Sequence, residues 1–88
     1  MNSFVQQIVN QRINQVTAGE LLQQAELFHI AISREQAEQI VANVHGQGID
    51  LFNADGQQKL HTIIREAVDQ ATADELLNRF YSLVDKFS

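Results

Sequence analysis

Apolar residues return every three or four positions along most of this chain, and that spacing predicts five helices. Phe4, Val5, Ile8, Val9, Ile13 and Val16 share one broad side of a first helix over residues 3–15, with Ser3 placed to cap it. Thr17 opens a second helix over 18–28 with a capping box: its hydroxyl takes an orphan N–H, and Glu20 reaches back to the Thr17 amide. Ala18, Leu21, Leu22, Ala25 and Phe28 form its inward face. Ile30 and Ile32 alternate through the next link and are expected to tuck under the helices. Ser33 and Gln36 repeat the box for a third helix over 34–45, striped by Ala37, Ile40, Val41 and Val44. Gly46 follows, where a left-handed cap is wanted.

The loop between Gly46 and Gly56 holds three of the four glycines but also Ile49, Leu51 and Phe52, so it reads as packed loop and not as a domain boundary. A fourth helix over 55–70 points Leu60, Ile63, Ile64, Ala67, Val68 and Ala71 inward. Thr72 and Glu75 offer a third capping box for a fifth helix over 73–87, with a wide stripe of Leu76, Leu77, Phe80, Tyr81, Leu83, Val84 and Phe87. The segments Thr17-Ala18-Gly19-Glu20-Leu21-Leu22 and Thr72-Ala73-Asp74-Glu75-Leu76-Leu77 agree at five of six positions. Their flanks disagree, so convergent cap chemistry accounts for the echo better than duplication. The fold class expected is all-α: a compact orthogonal array of about five helices in one domain, residues 1–88.

Length and composition narrow the function more than they define it. A chain of 88 residues buries roughly 60–65% of its unfolded surface, enough for one modest core. Proline and cysteine are both absent, so no helix is broken by a ring and no disulfide or thiolate metal site exists. The amino-terminal stretch lacks the basic flank and apolar block of a signal peptide, and no apolar run approaches a membrane span. Cytoplasmic localisation, with no membrane partner, is the expectation. Net charge is −5 and the six basic residues are scattered, which argues against a nucleic-acid partner.

Sites for chemistry fare poorly. Aligning Gly56 with the glycine of a calcium-binding EF-hand loop leaves Leu51 and Thr62 where carboxylates are needed, so Asn53 or Asp55 reads as a helix cap. The histidines at 29, 45 and 61 never fall at a spacing that puts two imidazoles on one helix face; His45 suits a helix C-terminus. No glycine-flanked serine and no phosphate-cradling loop occur, and the acidic pairs Glu35/Glu38 and Asp74/Glu75 sit in first turns, where they complement the helix dipole. No enzyme activity, cofactor, metal or small-molecule ligand is implied.

Two features exceed that background. Arg12 interrupts the apolar face of the first helix, either snorkelling into water or pairing with a carboxylate. The first and fifth helices together carry more apolar side chains than one small core needs, and Phe4, Val5, Tyr81 and Phe87 stand near the chain ends or stripe edge. With Arg12 they form the expected interface, for a protein partner or a homodimer. The alternative is an atypical helix-turn-helix regulator using the second and third helices, whose outward Gln36, Gln39 and Asn43 can read adenine edges but share the surface with Glu35 and Glu38.

Phe4-Val5, Ile8-Val9 and Arg12, then Thr17 with Glu20-Leu21-Leu22, then Ile40-Val41 and Ile49-Asp50-Leu51-Phe52-Asn53, form a joined pattern that resembles the YqfT-like family. These are small uncharacterised proteins from endospore-forming Firmicutes. The resemblance implies a source and a domain type, and it transfers no activity, ligand or catalytic residue.

Overall fold

The computed structural model describes residues 3–87, the side chains of Leu83, Val84 and Phe87 excepted. Its five helices are α1 (Ser3–Asn14), α2 (Ala18–Leu27), α3 (Arg34–Val44), α4 (Ala54–Ala67) and α5 (Gln70–Phe87). No strand occurs among the described residues, so the all-α expectation stands. The Cα radius of gyration of 12.1 Å equals the value of about 12 Å expected for a compact chain of this length.

Local chemistry starts α2 and α3 where the sequence places their caps. The Glu20 N–H donates to Thr17 Oγ1 at 3.1 Å while the Thr17 N–H donates to Glu20 Oε1 at 3.1 Å. Ser33 and Gln36 repeat the exchange at 3.0 and 2.9 Å. For α4 the cap is Asn53, whose Oδ1 accepts from the Gly56 N–H at 2.7 Å. Helix α2 ends in a Schellman motif: the Ile30 N–H donates to Ala25 O at 2.8 Å and the His29 N–H to Glu26 O at 3.1 Å. His29 takes the left-handed position this motif demands, with φ 58°. Beyond α3 Gly46 is also left-handed, with φ 82°, but there it is the third residue of a turn over residues 44–47, closed by the Gln47 N–H on Val44 O at 3.2 Å, with extended His45 before it, and not the helix cap expected of it.

The fourth and fifth helices depart from the expected 55–70 and 73–87. Helix α4 stops at Ala67, Val68 turns to extended backbone and is buried, and α5 is already under way at Gln70. Asp69 caps α5 in place of Thr72: its Oδ2 accepts from the Thr72 N–H at 3.3 Å, and its carbonyl accepts from the Ala73 N–H at 2.9 Å. Aspartate ranks above threonine at this position, and the earlier cap prevails. Ala71, expected inward, is therefore exposed. The sequence echo is thereby emptied of structural meaning, since Thr17 precedes its helix and Thr72 lies inside one.

Successive helices pack on each other, α2 on α3, α3 on α4, α4 on α5, around Leu21, Ala37, Ile40, Val44, Leu60, Ile64, Leu76 and Leu77. The 46–56 loop belongs to this core, with Ile49 and Leu51 fully buried. Helix α1 is held differently. Ile13 is its buried core residue, and two asparagines one turn apart grip the loop. Asn14 pairs with both polar groups of Ile49, accepting its N–H at 2.8 Å and donating to its carbonyl at 2.7 Å. Asn10 accepts the Leu51 N–H at 2.8 Å and donates to Asp50 Oδ1 at 2.8 Å. The two side chains act as a short substitute strand for a loop that has no sheet to pair with. The loop also closes on α4: Gly56 abuts the Asp50 backbone so tightly that a Cβ there would overlap the Asp50 carbonyl.

Candidate binding groove

Among the described residues α1 meets the core through Ile13, Val9 and the two asparagines, and part of its apolar face is exposed. Phe4 is 68% exposed and Ile8, one turn on, 44%. Between α1, the α2 face and α5 lies a half-open groove of about 490 Å³. Its floor is apolar, built from Val9, Ile13, Val16, Leu21, Ile30 and Leu76. Ile8 and Phe28 also line it, and both are more than 40% exposed. Phe28, expected inward on α2, instead projects from the α2 terminus because the Schellman turn diverts the chain there and buries Ile30 in its stead.

Charge enters the groove from three residues. Arg12 is 78% exposed at the side chain, and its nearest guanidinium nitrogen is 3.9 Å from Glu20 Oε2. This pair is solvent-exposed and contributes at most about 1 kcal/mol. The other Glu20 oxygen is occupied by the α2 capping box. Arg79 of α5 lays its guanidinium over the Phe28 ring, 3.4 Å from the centroid, a contact worth about 0.5–1 kcal/mol at an exposed site.

Of the residues expected to form an interface, the structure sorts five into different surroundings. Phe4 is exposed on α1, Val5 is half-buried beside it, and Arg12 stands in the groove wall. Tyr81 is half-buried and packed against the core. The Phe87 side chain lies outside the described residues. The fifth helix is thus a core helix over its first half, with Ala73, Leu76 and Leu77 buried, and among the described residues the large exposed apolar side chains belong to α1 and the end of α2. Ile8, Phe28 and Arg79 are what the sequence pattern missed. Arg79 and Phe28 are 51 positions apart, and no local signal joins them.

Elsewhere the polar groups are committed to structure. Among the described residues no polar or charged side chain is buried, and no group of three or more His, Cys, Asp or Glu is placed to hold a metal. His45 Nε2 lies 3.0 Å from Val16 O and bonds it when protonated there, tying the end of α3 to the α1–α2 junction. The Asp69 carboxyl is lowered below its ordinary range, first by the Thr72 hydroxyl and then by the Thr72 N–H. On the outer face of α3, Gln36 is engaged in its own capping box and Asn43 donates to Gln39 O at 3.0 Å. No described helix is long and apolar enough to cross a membrane.

A small all-α protein with an uncovered apolar groove is the class these observations define. The chain belongs to the family described as "Protein of unknown function (DUF2624)", whose model matches residues 1–84. It is similar to the uncharacterized protein YqfT of Bacillus subtilis (strain 168), at 30% identity over 80 residues covering 88% of this chain and 95% of that one. The YqfT-like resemblance read from the residues is therefore correct. No solved structure matches the chain.

Proposed function

We propose that this protein is a non-catalytic interaction module that docks another protein segment on the groove between α1, α2 and α5. The single observation that carries this reading is the exposure of Ile8 and Phe28 in the wall of an apolar groove, with Phe4 continuing the stripe along α1. Contiguous apolar surface of this kind marks binding sites in small proteins, whose cores otherwise claim such side chains. A helix laid in a groove would use it through anchors spaced three and four residues apart. Commitment of the Gln36 and Asn43 side chains to their own helix weighs against a helix-turn-helix regulator reading bases with α3.

A second reading, self-association as a homodimer through the same face, is favoured by the Phe4–Ile8 stripe, which can pair with its own copy about a twofold axis. Light scattering across a wide concentration range separates the two. A constant monomer mass, with partners captured from native lysate by the wild type and lost in Ile8→Glu, supports the docking module. Mass that rises with concentration supports the dimer. Capture and mass both indifferent to Ile8→Glu would refute the role given to this face.

A further inference from the structure

We infer that the groove's occupant is an amphipathic helix carrying carboxylates beside its apolar stripe; this rests on the groove being a docking surface and adds the chemistry of the partner. The chain has a net charge of −5 and six basic residues, yet two of those six line this one groove. The Arg12 guanidinium projects into solvent, and its contact with Glu20 Oε2 is long, at 3.9 Å, and exposed, so a partner carboxylate can still reach it. The Arg79 guanidinium stacks on Phe28 in the groove lining, which leaves its in-plane N–H donors available to a carboxylate. Glu20 is the acidic residue of the lining, against two arginines. An occupant that buries apolar side chains on the floor brings its flanking residues to these cations, so flanking carboxylates are complementary and flanking lysines are repelled.

A second copy of this chain suits the site less well. The exposed stripe that it would offer is α1, and residues 3–14 contain no aspartate or glutamate. Pairing α1 with α1 brings Arg12 no carboxylate from the facing helix.

The test uses the full chain and two labelled, helix-stapled peptides with leucines at i, i+4 and i+7, one bearing glutamates beside the stripe and the other lysines. Fluorescence anisotropy is expected to show the glutamate peptide binding the wild type more tightly than the lysine peptide. Replacing both arginines, Arg12→Gln and Arg79→Gln, is expected to weaken the glutamate peptide roughly 2- to 30-fold, and Arg12→Glu with Arg79→Glu to reverse the preference. All these positions are exposed, so the variants keep the core, which a far-ultraviolet spectrum verifies. Equal binding of both peptides, each weakened by Ile8→Glu, would overturn the acidic partner and leave the groove reading intact. Binding of neither peptide, or binding indifferent to Ile8→Glu, would overturn both. A concentration-dependent mass abolished by Ile8→Glu would give the groove to a second copy and overturn the inference.

Discussion

Replacing Asn14 with alanine removes one of the two asparagine ties between α1 and the 46–56 loop. The asparagine side chain makes three hydrogen bonds, to Ile49 N–H, Ile49 O and Asn10 O, all at 2.7–2.8 Å. In the Ala variant the two Ile49 groups lose their partner in a half-buried position. A buried polar group without a partner costs about 1–3 kcal/mol, and partial access to water places each near the lower end. The expected loss is about 2–4 kcal/mol, set against a total stability of roughly 4–13 kcal/mol for 88 residues. At about 5 °C per kcal/mol for a domain of this size, the midpoint of thermal unfolding falls by about 10–20 °C. Urea denaturation followed by helical circular dichroism gives the free energy directly, with Asn43→Ala as control. Asn43 donates to its own helix on an exposed face, and its removal is expected to cost less than about 0.5 kcal/mol. Equal midpoints for Asn14→Ala and Asn43→Ala would refute the claim that asparagines pin the loop.

Gly56→Ala is expected to destabilise by about 3 kcal/mol or more, because the Cβ meets Asp50 backbone that cannot yield as a side chain would; a midpoint within the error of wild type would count against the close approach. His29→Gly is expected to stabilise by about 0.5–1 kcal/mol, relieving a left-handed residue at an exposed turn, and a lower urea midpoint would contradict it. The Asp69 carboxyl titrates lower in the folded than in the unfolded chain, so its contribution is fully present above the ordinary value of 3.8 and fades as pH falls through the folded value. Asp69→Asn is expected to flatten the acid side of the stability profile in that window, and an unchanged slope there would argue against the Asp69 cap.

The caps at Thr17 and Ser33 were legible because a capping box is chemistry between residues three apart, complete within the sequence that encodes it. The box at Thr72 misled for the same reason. Its local chemistry is sound, but Asp69, three residues earlier, competes for the same turn, and the buried position of Val68 fixes the break there. Ile49 and Leu51 announced a packed loop by being too apolar for solvent. Asn10 and Asn14 gave less away. Polar residues on a helix normally read as its wet face, and their partners lie 35 to 41 positions along the chain. Two poor helix formers one turn apart were the available signal. For the groove, Arg12 was visible as a break in the apolar face of the first helix, and Phe4 as an apolar residue near the chain end beyond the needs of one core. In α5, central packing takes Leu76 and Leu77 and partly covers Tyr81, while the Schellman turn at His29 frees Phe28. Such exchanges are settled by tertiary packing and leave no mark on the hydrophobic pattern.

Amide chemical-shift mapping during titration with the glutamate-flanked peptide tests the docking surface most directly, since it reports where an occupant sits as well as whether it binds. Perturbations are expected to cluster at Ile8, Arg12, Leu21, Phe28, Arg79 and Phe80, with the outer face of α3 unmoved. Shifts centred on α3 and α4, or none up to about millimolar peptide, would contradict the assignment of this groove as the binding site.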